Sequence, residues 1–201
     1  MTASAIVLAG GRAARFGSDK RLAPVDGRPM LERVLAAVSD VAGEIIVVAE
    51  PGWSIPSGAS PVAVTVSVVH DRLPGAGPLA ALAEGLRAAS GQTVLVVAGD
   101  MPWIVPAVLA LLRDAAAHDG GCWALEQPGS AGREPILPFA GPTEPLRDAV
   151  RALLADGARR LGDPLLAMAA RRVAADAWLA LDPDARTIDD VDRPEDLGPR
   201  T

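Results

Sequence analysis

The chain has 201 residues, half of them hydrophobic, and carries 25 acidic against 19 basic side chains for a formal net charge of -6. An acidic balance with only 3% aromatic residues argues against a nucleic-acid surface, which needs a basic face and rings for stacking. The length suits one α/β domain over residues 1–201, and no apolar run approaches the roughly 18 residues that cross a bilayer.

The start lacks the charged and long apolar regions of a secretory signal, so a soluble, cytoplasmic protein without membrane contact is expected. Cys122 stands alone, cannot form an internal disulfide, and lies in the apolar run GCWAL, where it reads as a small buried hydrophobe. With His70 and His118 as the only histidines, a transition-metal or Cys/His catalytic site is poorly supplied.

In chain order, Ala5–Leu8 reads as a buried first strand, followed by the stretch LAGGRAARFGSDK, which ends at Lys20. Gly10, Gly11 and Gly17 let the backbone turn toward phosphate oxygens, while Arg12, Arg15, Lys20 and Arg21 supply cations. The spacing fits neither the dinucleotide fingerprint nor the Walker loop. A basic strand-to-helix connection is the plain alternative; three glycines and several cations in one short loop favour a nucleotide cradle.

Leu31, Val34, Leu35 and Val38 then recur at helical spacing after Pro29, and Glu44–Ala49 is a continuous apolar run typical of a parallel strand buried on both faces. Residues 51–61 read as a loop, with Trp53 a packing residue. The β-branched run Val62–Val69 delivers His70 and Asp71 at a strand's carboxyl end, the edge where open α/β sheets bind ligands. LPGAGP leads into a helix through Leu79, Leu82 and Leu86, with Pro78 tolerated in its first turn.

Thr93–Ala98 is another buried strand, ending at Gly99-Asp100-Met101-Pro102. A carboxylate there, beside a phosphate loop, suits Mg²⁺, which takes one or two carboxylates plus substrate phosphates; a capping aspartate is the alternative. A stripe through Val108, Leu111 and Leu112, a short run Cys122–Leu125, and a helix through Leu146, Val150 and Leu153 complete a strand–helix alternation. Pro135–Phe139 is broken by two prolines, Arg159-Arg160 reads as solvated charge at a helix end, and strands after Val173 are weak. The pattern predicts a doubly wound, Rossmann-like three-layer sandwich around a mostly parallel sheet.

Three ordered elements, Leu8-Ala9-Gly10-Gly11, Arg15-Phe16-Gly17 and Asp19-Lys20, together with Asp71, Gly77-Pro78-Leu79-Ala80, Gly99-Asp100-Met101-Pro102 and Pro194-Glu195-Asp196-Leu197, resemble the MobA-like nucleotidyltransferases over nearly the whole chain, and among them the molybdenum cofactor guanylyltransferases. The resemblance implies a fold of the nucleotide-diphospho-sugar transferase type and transfer of GMP from MgGTP to the phosphate of molybdopterin, with release of pyrophosphate. It implies nucleotide contacts at Leu8, Ala9, Gly10, Gly11, Lys20, Asp71, Gly77, Pro78 and Asp100, catalytic roles for Arg15, Lys20 and Asp100, and Mg²⁺ on Asp100. The G-P-L-A turn favours GTP over CTP. A molybdoenzyme or cofactor-delivery protein is a further expected partner. Asp190-Val191-Asp192 departs from the family's N-x-N, in a region linked to the pterin substrate, and two negative charges there suit an anionic acceptor poorly. A related transferase using CTP or another phosphate acceptor, and a nucleotide-binding module without turnover, are the alternatives.

Overall fold

The computed structural model describes residues 2–10, 19–56, 64–72, 75–127 and 136–197. Among these residues the frame is a sheet of seven strands. In chain order these are β1 (Ala3–Leu8), β4 (Glu44–Ala49), β5 (Thr65–His70), β6 (Thr93–Ala98), β7 (Trp123–Leu125), β8 (Phe139–Pro142) and β9 (Arg171–Val173), with β2 (Pro24–Val25) and β3 (Arg28–Pro29) forming a separate small ribbon. The spatial order is β5-β4-β1-β6-β8-β7-β9. Only β8 runs against the rest, pairing antiparallel with both β6 and β7.

Alternation along the central strands divides the core. Ala5, Val7, Ile45, Val47, Leu95 and Val97 point to one face, where α1 (Met30–Ser39), α3 (Pro106–Asp119) and α6 (Ala175–Leu179) pack. Ile6, Ile46, Val48, Val94 and Val96 point to the other, against α2 (Pro78–Ala88), α4 (Thr143–Ala155) and α5 (Gly162–Ala167). Each of these buried valines, leucines and isoleucines stabilises the fold by about 1.5–3 kcal/mol. The doubly wound, mostly parallel sandwich expected from the sequence is therefore the fold, and no helix among the described residues is long and apolar enough to cross a membrane.

Two expectations shift. The strand placed at Val62–Val69 spans Thr65–His70, with residues 57–63 outside the described set. The proline-broken segment before Phe139 gives way to a real strand, β8, which lies between β6 and β7. Cys122 is buried with a free thiol pushed up to about 11 by that burial, in line with an inert core role.

Because β1, β4, β5 and β6 are parallel, their carboxyl ends share one edge. The chain lays β4 and β5 on one side of β1, then crosses to place β6 on the other. The strand order therefore reverses between β1 and β6, and ligands of open α/β sheets bind in the crevice outside such a switch point.

Candidate active site

Leu8, Ala9 and Gly10 leave β1 at this edge. The Ala9 amide donates to the Val48 carbonyl at 2.8 Å, and the Gly99 amide donates to the Leu8 carbonyl at 2.9 Å, so both neighbouring strands fix the first residues of the glycine loop. Gly11 and Arg15, together with Arg12 and Gly17, lie outside the described residues. The loop re-enters at Asp19, whose side chain caps a short 3₁₀ turn, Lys20–Leu22.

Lys20 Nζ donates to Asp100 Oδ2 at 2.8 Å, across 80 residues of sequence, at the carboxyl end of β6. Both side chains keep partial access to solvent. Lys20 also reaches Asp192 Oδ1 at 3.5 Å. The tail comes here for a local reason: Val191 is fully buried with Val25 and Met30 in a small satellite core, and its amide donates to the Asp100 carbonyl at 2.9 Å. Asp196 Oδ2 accepts the amides of Asp192 and Arg193 at 2.9 and 2.8 Å, which gives the terminal Pro-Glu-Asp-Leu motif a physical task, holding the turn that presents Asp192. Although Asp190 is exposed as a residue, partial burial of its carboxyl, then the negative charges of Asp100 and Asp192, push that group above its ordinary value.

A second cluster closes the loop from the β4 side. Arg21 lies over the Trp53 ring at 4.4 Å, its guanidinium grips Asp19 and Glu50, and Trp53 Nε1 donates to Asp19 Oδ2 at 3.0 Å. Hydrogen bonds from Arg21 hold the Glu50 carboxyl below its ordinary value. Burial works against the charge on Asp19, yet bonds from Arg21 and Trp53 outweigh it and hold Asp19 low as well.

Asp71 follows β5 at the same edge, its amide donating to the Ala49 carbonyl at 2.9 Å. Gly77 and Pro78 open α2. Gly77 has φ 101° and ψ 167°, a region open to glycine alone, and an added Cβ would sit 3.0 Å from the Arg159 carbonyl oxygen. That carbonyl also accepts the Leu79 amide at 3.3 Å, so the turn is braced by the backbone of the segment after α4.

A strand–loop–Lys cradle facing an aspartate at a topological switch point is an arrangement suited to binding a nucleotide's phosphates. The family model of the MobA-like NTP transferase domain matches residues 5–186 of this chain. The chain belongs to this family.

Among MobA-like relatives, a probable molybdenum cofactor guanylyltransferase of Chloroflexus aggregans is 33% identical, over 98% of this chain and 92% of its own length. One of the same name from Methanothermobacter thermautotrophicus is 32% identical, over 96% of each. The fold matches the crystal structure of molybdopterin-guanine dinucleotide biosynthesis protein A from Archaeoglobus fulgidus with a TM-score of 0.76 at 20% identity, covering 96% of this chain and 94% of that one.

Within this MobA-like frame the structure brings together Lys20, Asp100 and the β1 exit, and sets Asp71 and Gly77-Pro78 at the ends of β5 and the start of α2. The structure refines three sequence readings. Asp192, read as a departure near the acceptor, also lies beside Lys20, because burial of Val191 ties its segment to Asp100. Arg21, counted among the phosphate cations, has its charge committed to two carboxylates, and Trp53 packs against the core as expected and also completes that cluster. Glu50 went unnoticed; its position just after a buried strand, at the ligand-binding edge, was the available signal. Among the described residues no group of three His, Cys, Asp or Glu side chains is arranged to hold a metal by protein ligands alone.

Proposed function

We propose that the chain, acting as a single domain, transfers GMP from GTP to the terminal phosphate of molybdopterin and releases pyrophosphate. The observation that carries this reading is the meeting of Lys20 and Asp100 at the β1/β6 switch point of a MobA-like chain. The names of its full-length relatives supply the substrates.

Asp100, with Asp192 beside it, would hold Mg²⁺: both offer hard carboxylate oxygens, and a site of so few carboxylates suits a cation that takes substrate phosphates as its remaining ligands. Bound there, the ion would supply charge neutralisation on phosphate oxygens. The protein's own part is alignment. Backbone groups at Leu8, Ala9 and Gly10, with Gly11 beyond, cradle the nucleotide, Asp71 contacts it from the end of β5, and the stiff Gly77-Pro78 turn packs against the base in the manner that favours guanine. Lys20 turns from its carboxylates to the phosphates, and Arg15 joins it in neutralising charge that moves onto the leaving group. An acceptor phosphate oxygen bonds to the α-phosphorus as the bond to the bridging oxygen of the β-phosphate breaks. The acceptor is already ionised, so no strong general base is needed. The product passes to a molybdoenzyme or a cofactor-delivery protein in the cytoplasm.

The test is pyrophosphate release with Mg²⁺ and molybdopterin, comparing GTP, CTP and ATP, with Asp100→Ala alongside. Release with GTP alone, reduced at least a hundredfold in Asp100→Ala at unchanged melting temperature, is expected. Release with CTP in place of GTP, or wild-type turnover in the variant, would overturn the nucleotide or the metal assignment respectively. The carboxylates of Asp190 and Asp192 favour one second reading, a different phosphate acceptor, which GTP turnover with another phosphorylated compound and none with molybdopterin would establish.

A further inference from the structure

We infer that Arg21 is a positioning residue of the transfer reaction: it locks the exit of the glycine loop to its entrance and thereby sets where Lys20 stands. This rests on the guanylyltransferase reading for its kinetic consequence, though not for its geometry.

The guanidinium has five N–H donors, and all are used. Nε donates to Asp19 Oδ1 at 2.7 Å and Nη2 to Asp19 Oδ2 at 2.9 Å. Nη1 and Nη2 donate to Glu50 Oε2 and Oε1 at 2.7 and 2.6 Å, a bidentate grip. The remaining Nη1 proton goes to the Ala9 carbonyl at 3.0 Å. Arg21 therefore has no donor left for a phosphate. Instead it joins Ala9, where the loop leaves β1, to Asp19, where the loop returns, and anchors both on Glu50 at the end of β4. Glu50 is itself fixed, since its carbonyl accepts the Trp53 amide at 3.2 Å and Trp53 covers the guanidinium face.

Lys20 lies between two of these anchors, Asp19 and Arg21, and is the chain's single lysine. Its backbone is thus held on both sides while its side chain spans to Asp100. A lysine at position 21 would be a point charge on a flexible stem and could not reproduce the planar fork.

The single lysine makes a direct test possible. Protein labelled with isotopic lysine gives one ε-methylene resonance, followed in wild type, Arg21→Gln and the milder Glu50→Gln. Arg21→Gln is expected to move it toward the value of a free lysine, with a smaller move in Glu50→Gln. A resonance unchanged in Arg21→Gln overturns the inference. The second readout is a double-mutant cycle in kcat/KM for GTP. Arg21→Gln is expected to lose at least tenfold, and Arg21→Gln with Lys20→Gln to be within twofold of Lys20→Gln alone, because one residue acts through the other. Losses that multiply would mean that Arg21 acts independently of Lys20 and would overturn the inference. Wild-type protein that does not turn over GTP would sink the guanylyltransferase reading, while the resonance still decides the role of Arg21.

Discussion

Gly77→Ala isolates the brace between the start of α2 and the segment after α4. The new methyl group would force a backbone held at φ 101° and ψ 167° into a region essentially closed to L-residues, costing about 1–3 kcal/mol. It would also stand 3.0 Å from the Arg159 carbonyl oxygen and 3.1 Å from Arg159 Cβ, closer than ordinary contact, and relief of such overpacking costs about 1 kcal/mol or more. Together these predict a loss of about 3 kcal/mol. At roughly 2–4 °C per kcal/mol for a chain of this size, the melting temperature falls by about 6–12 °C. Gly75→Ala is the control: its φ is also positive, at 90°, but nothing lies within 4 Å of an added Cβ, so only the conformational cost of about 1 kcal/mol remains. Calorimetric melts of the two variants, paired with GTP titrations, separate strain from contact. Equal melting shifts in both, or a Gly77→Ala protein that melts like wild type, would refute the account of the brace.

Acid should loosen the Arg21 cluster. Asp19 and Glu50 both titrate below their ordinary values of 3.8 and 4.5 in the folded chain, so their contribution is fully present above those values and is lost as pH falls through the depressed ones. Melting temperature measured from pH 6 downward should therefore drop less steeply in Glu50→Gln than in wild type. Val191→Ala, which opens a hole in the satellite core, should cost about 2 kcal/mol in urea denaturation and raise KM for GTP by freeing the segment that presents Asp192. Cys122, with its thiol pushed up to about 11, should resist alkylation at pH 8 in the folded protein and react at once in denaturant.

The central strands could be read in advance because a strand covered on both faces is apolar along its buried length, as residues 45–49 and 94–98 are, and glycine-rich exits mark where the chain turns at the sheet edge. Lys20 and Asp100 were nameable because each follows such a strand or its loop. What lay beyond reach shares another property. Strand β8 has prolines before it, at positions 135 and 138, and sits out of chain order between β6 and β7, so neither composition nor sequence neighbours announce it. Strand β9 carries Arg171 and Arg172 because it is an edge. The Arg21–Glu50–Trp53 cluster and the approach of Asp192 depend on side chains 29 to 172 residues apart, and their charges look like ordinary solvated ones until the sheet sets them side by side.

The seating of β1 between β4 and β6 also governs how the chain reaches this state. Pairing Ala3–Leu8 with Thr93–Ala98 closes a loop of some ninety residues, so β1 acquires its second neighbour only after α1, β4, β5 and α2 have been synthesised. Until then a mostly apolar strand presents an open hydrogen-bonding edge, the form most prone to pair with another chain. Arrival of β6 is thus the step that covers the open edge of β1 and, by bringing Asp100 to Lys20, assembles the candidate site. Weakening β6 should then slow folding and lower soluble yield more than an equal loss of stability at β9, whose pairing comes late and lies at the rim.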